Sequence, residues 1–233
     1  DPHASPHDVA RELDRTAPLI RYGLVRPGDG HMRPFVALAV EPLVLRILRG
    51  EATTEGVEEI RVVPATVGFE DLLLPAAVKD RVARLMETPH AEARVVVRGR
   101  VGAGRHPLLA TRAAAAGRGL GVIDASPYLR DLRNQLEPLR TAFLRARLLG
   151  LLPCLDGLEA IGSDDLSTRD MIREVLRRHP GPLAIRLPWN AQPPVDAGYL
   201  AIDLPQLTAD QRLTSWQLAL ASAGLYVRDP LEL

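Results

Sequence analysis

The chain has 233 residues, and its 29 basic and 29 acidic residues cancel to a formal net charge of +0. That length suits one medium domain with an appendage, and the neutral balance removes any global electrostatic drive towards nucleic acid or an acidic membrane surface. The single cysteine excludes an internal disulfide framework and fits a reducing, cytoplasmic compartment; no apolar run approaches the ~18 residues of a membrane span, and no signal peptide is read.

Asp8 to Asp14 carries acidic and apolar residues at helical spacing, and Pro18 stops it. Leu19 to Val25 and Pro34 to Val40 read as two strands, joined by a turn rich in Pro-Gly and Asp-Gly pairs. Glu41 to Leu48 reads as a helix, with Pro42 in its first turn and Gly50 after its end. Helix, two-stranded wing, helix is compatible with a small winged-helix-like region over residues 1–60. Arg21, Arg26, His31 and Arg33 would line that wing. They read either as a DNA contact or as solvated wing-tip charges, and the second is favoured because no basic block or aromatic surface accompanies them. Glu51 to Thr66 reads as a linker.

The stretch from Arg94 to Ser126 organises the rest. Val95-Val96-Val97 is an apolar run bounded by charges, the pattern of a strand buried on both faces in a parallel sheet. A loop containing Gly99, Gly102, Ala103 and Gly104 follows, then a helix over about Pro107 to Ala116 and a strand from Leu120 to Asp124. Strand, glycine loop, helix is the layout of a phosphate-binding loop, in which backbone amides and a helix N-terminus face an anion. Gly99 and Gly104 match the two glycines of the P-loop spacing. The next two positions depart from it. Arg105 replaces the lysine with a longer planar cation, and His106 replaces the hydroxyl that would bind magnesium, an ion that prefers hard oxygen donors. A glycine-rich turn with no ligand is the plain alternative.

Gly68 to Pro75 (GFEDLLLP), then a helix over Ala76 to Met86, lead into this strand. With the glycine loop, they resemble the entry to an AAA+ ATPase module. The resemblance extends over roughly residues 67–220 and implies a parallel-sheet P-loop NTPase fold, an αβα sandwich, over residues 61–204. It implies that Leu72 and Leu73 lie beside the base of a bound ATP or ADP; otherwise they are plain core.

Tyr128 to Leu148 reads as a helix that Pro138 kinks or splits. Leu149 to Asp156 resembles a Walker B strand, although Pro153 is irregular for a central strand. By that resemblance Asp156 is the magnesium-orienting catalytic carboxylate; otherwise it caps a loop. Gly157 stands where the family carries the glutamate that positions water, a loss of ~10²–10⁴-fold in general-base assistance. Cys154 reads as a small buried apolar residue. Ser167 to Arg178 reads as a helix, Leu183 to Leu187 and Tyr199 to Leu204 as strands, and Asn190 as a sensor residue or a turn asparagine. Residues 190–200 contain no arginine for a finger role. Thr208 opens a helix that resembles the first helix of an AAA+ lid, so residues 205–233 read as a truncated helical lid.

The resemblance therefore implies a degenerate AAA+ module with impaired or absent hydrolysis, found in a larger bacterial protein. ATP or ADP is the implied ligand, and the substitutions argue against Mg2+. The implied partners are other AAA+ subunits or a second module, with a protein substrate, no membrane and no nucleic acid. An active ATPase with substituted groups and a winged-helix DNA-binding regulator are the alternatives. The first residue, Asp1, reads as the start of a fragment or processed chain.

Overall fold

The computed structural model describes residues 5–14, 16–28, 37–51, 57–86, 93–162, 164–222 and 224–225. Its body is a six-stranded sheet built from β3 (Arg61–Val63), β4 (Arg94–Arg98), β5 (Gly119–Asp124), β6 (Leu151–Asp156), β7 (Leu183–Leu187) and β8 (Leu200–Asp203). The spatial order is β3-β5-β6-β7-β4-β8. All pairings among β4 to β8 are parallel, and β3 alone runs antiparallel, against β5. This is a mixed α/β fold with a mostly parallel central sheet.

Both faces of the sheet are covered, which explains why its strands read as continuous apolar runs. One face packs α4 (Ala76–Met86) and α5 (Arg105–Ala115), with Val82, Leu108 and Leu109 against Val97, Leu120 and Ile202. The other packs the long α7 (Leu132–Leu148) and α8 (Leu166–Arg178), with Leu139, Phe143, Ile172 and Leu176 against Val96, Ile123, Leu155 and Ile185. After β4 the chain passes to β5 on the far side. It then fills back through β6 and β7, and finally crosses β4 to reach β8. The crevice at the carboxyl ends of β4 and β7 is thus a topological switch point, where α/β sheets place their ligands.

Before the sheet come α1 (Pro6–Glu12), α2 (Pro18–Arg21), the short antiparallel pair β1 (Val25–Pro27) and β2 (Leu38–Val40), and α3 (Pro42–Leu48). Ser5 and Asp8 form a reciprocal capping box at the start of α1. Three local expectations are corrected here. Leu19 to Arg21 are helical, and the strand begins only at Val25; Pro18 pre-sets the first helical turn instead of ending one. The span expected as a linker contains a strand, because Arg61-Val62-Val63 has β-branched residues that pair with Val122, Gly121 and Leu120. Pro138 does not split its helix into two: α7 runs through it. The break falls earlier, between α6 (Ser126–Leu129) and Leu132. Pro138 and Asn134, whose carbonyl loses its donor, are both exposed to solvent, while Leu139 and Ala142 anchor the helix in the core. Most of the expected wing turn, including His31 and Arg33, lies outside the described residues.

Pro153 sits in the central β6 without harm. β7 pairs only with Cys154 and Leu155, so the missing N–H falls before that ladder begins. Thr208 does cap the last helix, α9 (Ala209–Ser222): its hydroxyl accepts from the Gln211 amide and its own amide donates to the Gln211 side chain.

Candidate functional site

β4 ends where Gly99 donates to the Leu187 carbonyl at 3.3 Å, tying the loop to the end of β7. A side chain at Gly99 would be crowded, since a Cβ there would lie 3.2 Å from both the Ala103 and Leu204 Cβ atoms. Gly102 and Gly104 hold left-handed φ values of 82° and 81°, which L side chains resist. Ala103 donates back to Arg100 at 3.1 Å, closing the turn. The amides of Gly102, Gly104, Arg105 and His106 donate to no acceptor among the described residues. Pro107 has no N–H to offer, and Leu108 takes up the first helical bond, to Gly104. Four free donors thus gather at the amino end of α5, where the helix dipole favours negative charge.

Arg105 does not reach over these amides. Its side chain turns inward, 7% exposed, and Nη1 donates to the Leu187 carbonyl at 2.6 Å. Burial pulls its ionisation below the usual arginine range, and the charge of Arg186 adds to that. Leu72 is buried in the α4/α5 core beside Val82 and Leu108, and Leu73 is half-buried. The entry segment is pinned by Thr111, whose hydroxyl donates to the Val67 carbonyl at 3.2 Å, and by Arg112 stacked over Phe69.

Asp156 lies at the carboxyl end of β6, 7% exposed. Its Oδ1 accepts from the Gly157 amide at 2.8 Å and from Arg186 through Nε and Nη2. Its Oδ2 lies 3.4 Å from His106 Nε2, near enough for charge but outside hydrogen-bond geometry. Burial pushes the carboxyl up, but His106, Arg186 and the Gly157 amide outweigh it and hold it down at about 2. Arg186 is the residue that sequence reasoning passed over. The signal was there: one charge near the end of the apolar run Leu183 to Leu187, on the same sheet face as Ala184.

A cleft of about 330 Å³ opens beside this pair, lined by Glu58, Glu59, Asp124, Asp156 and Glu159, with Arg61 and Arg186 among them. Glu159 is half-exposed, 3.9 Å from Arg186 Nη2. Gly157 has φ 75°. Asn190 is exposed in a turn and is not among the residues that line this cleft. Cys154 is fully buried, which drives its thiol up to about 12 and leaves it unreactive.

The magnesium ion that the P-loop resemblance implies does not fit these residues. One oxygen of its expected carboxylate is taken by a guanidinium, the other faces an imidazole, and no hydroxyl stands at position 106. Among the described residues no group of three or more His, Cys, Asp or Glu side chains is placed to hold a metal ion.

Fold and loop together define a mixed α/β protein with a mostly parallel central sheet, helices on both faces and a glycine-rich loop leading from β4 into α5. No family model matches the chain, and no curated protein is similar to it in sequence. Solved structures are similar to it at low identity. One is a DNA replication initiation factor, with 14% identity and TM-score 0.48 over 70% of this chain and 56% of that one. Another is DnaA from Aquifex aeolicus bound to AMPPCP, with 15% identity and TM-score 0.43 over 70% of this chain and 57% of that one. A third is the DnaC helicase loader, with 16% identity and TM-score 0.38 over 54% of this chain and 78% of that one. The chain thus spans little more than half the length of the first two. At these identities the likenesses say nothing of what this chain binds or does. No helix among the described residues is long and apolar enough to cross a membrane.

Proposed function

We propose that the chain is a degenerate AAA+ module that holds ATP or ADP phosphates on residues 99–106 and hydrolyses them slowly or not at all. It serves in oligomeric assembly or remodelling by a larger AAA+ protein. The amides of Gly102, Gly104, Arg105 and His106 supply donors to the phosphates, and the amino end of α5 supplies partial positive charge. The entry segment from Gly68 to Pro75 lies over α5 on the same side of the sheet, held there by Thr111 and Arg112.

The observation that carries the loss of hydrolysis is the conformation of Gly157. Its left-handed backbone and its approach to Asp124 leave no place for the carboxylate that would activate water. Removal of a general base costs on the order of 10²–10⁴ in rate. Asp156 cannot replace it, because its carboxylate is engaged by Arg186 and the Gly157 amide.

The DNA-regulator reading is disfavoured by Arg26. Its guanidinium donates to the Thr141 hydroxyl on α7 and lies 3.6 Å from the buried Glu41, so it faces the α/β body. A phosphate-release assay with ATP and excess magnesium tests the proposal. The expected result is no release above background; magnesium-dependent release abolished by Asp156→Ala favours the active ATPase.

A further inference from the structure

We propose that Arg186 is a built-in counter-cation for this site, so that the loop binds phosphates without a divalent metal and a metal competes with the protein's own guanidinium. The inference rests on the phosphate-binding reading of residues 99–106.

The geometry starts with sheet register. Arg186 leaves β7 on the face that carries Ala184, and Asp156 leaves β6 on the face that carries Cys154; Cys154 pairs directly with Ala184. Two residues further along each strand, at the carboxyl edge, the guanidinium therefore meets the carboxylate. Arg186 places Nε and Nη2 on one oxygen of Asp156, and Nη2 also lies 3.9 Å from Glu159. Its side chain is 20% exposed and that of Asp156 10%. The pair is therefore largely removed from water, where its attraction is poorly screened.

A divalent cation at Asp156 has to displace that guanidinium from Oδ1 or crowd in at Oδ2, where the His106 imidazole lies 3.4 Å away and Arg186 repels it from the same carboxylate. Of the neighbouring carboxylates, Asp124 is held by Ser126 and Glu159 lies beside Arg186, and His106 occupies the hydroxyl position. Arg186 keeps donors in reserve. Guanidinium carries five N–H groups, and Nη1 has no acceptor among the described residues. Those donors suit a phosphate oxygen, which arginine binds through paired N–H groups. Arg105 and Arg186 offset Asp156 and Glu159 at this end of the sheet, so the attraction for a phosphate comes from the free loop amides and the spare guanidinium N–H groups, not from a net positive charge. A phosphate arriving at the free loop amides meets those guanidinium donors without any metal ion.

The test is a calorimetric titration of the chain with ADP, in EDTA and in excess Mg2+. The expected result is an affinity in EDTA equal to, or tighter than, that in Mg2+. In Arg186→Gln the affinity in EDTA falls about tenfold or more, and Mg2+ now tightens binding. Arg186→Lys keeps the charge and keeps the metal independence; it serves if the glutamine variant does not fold. Wild-type binding that is about tenfold tighter in Mg2+ overturns the inference. Absence of ADP binding in both conditions overturns the phosphate-loop reading instead. The counter-cation is then judged by Mn2+ titration of the nucleotide-free protein, read by electron paramagnetic resonance. Mn2+ is expected on Arg186→Gln, lost again in the double variant with Asp156→Asn, and absent from the wild type. Wild-type Mn2+ binding that Asp156→Asn removes, or failure of Arg186→Gln to bind Mn2+, overturns it.

Discussion

A Cβ on Gly157 would lie 2.2 Å from the Asp124 carboxylate and 2.6 Å from the Ser126 hydroxyl. Asp124 cannot move aside freely, since its Oδ1 accepts from both the amide and the hydroxyl of Ser126, at 2.9 and 2.7 Å. Restoring a glutamate by Gly157→Glu is therefore expected to give no gain in phosphate release. Gly157→Ala should lower stability by at least ~1–2 kcal/mol from the left-handed backbone alone, read as the shift of a urea unfolding curve.

Asp156 makes stability depend on acid. Its folded value, about 2, lies below its ordinary 3.8, so its contribution is fully present above pH 3.8 and is lost as pH falls towards 2. The difference corresponds to roughly 2 kcal/mol. Asp156→Asn should flatten the urea midpoint between pH 4 and pH 2, relative to the parent; an unchanged slope would contradict the carboxylate's engagement.

His179 acts in a second window. Burial, with Arg94 and Arg147 nearby, holds the imidazole down from 6.5 to about 3, so it is neutral in the fold. The unfolded chain takes up a proton first. Stability from this residue is therefore present above pH 6.5 and declines as pH falls towards 3. The loss is on the order of a few kcal/mol. His179→Gln should remove most of the slope between pH 6.5 and pH 4, and thermal melts across that range would show it.

Glu41 joins the amino-terminal region to the body. It is 5% exposed, accepts from Arg145 at 2.8 Å, and lies 3.6 Å from Arg26, while Arg145 also holds Glu59 at 2.6 Å. Glu41→Ala leaves two cations short of a partner and should cost ~1–3 kcal/mol. It should also increase proteolysis before residue 60, which limited digestion would detect. Equal digestion of parent and variant would contradict the join.

Pro138 offers a gain. It sits exposed inside α7, where proline is ~3 kcal/mol worse than alanine. Pro138→Ala restores an N–H to the Asn134 carbonyl and should stabilise the chain by about 1–3 kcal/mol. A lower urea midpoint would mean that the proline shapes the helix for packing.

Much of this fold was legible because its central strands are apolar runs between charges. Val95 to Val97, Leu120 to Ile123 and Leu183 to Leu187 could only be buried, and the glycines at 99, 102 and 104 could only mark a tight turn before a helix. What escaped depends on tertiary pairing. Arg61 to Val63 is three residues long and becomes a strand only because β5 lies beside it. Pro138 is tolerated only because the residues around it anchor α7 in the core. Arg186 meets Asp156 across 30 residues of sequence, a pairing set by strand register. Arg105 showed its charge in the sequence, but its inward turn to Leu187 is a matter of burial.

The measurement that tests the central claim most directly is a calorimetric titration with ATP, which records binding and turnover in one trace. The account predicts saturable heat at one ATP per chain, no sustained heat of hydrolysis, and loss of binding in Gly102→Asp, where a carboxylate would face the phosphates from an open position. Absence of binding, or a sustained magnesium-dependent heat that Asp156→Ala abolishes, would contradict it.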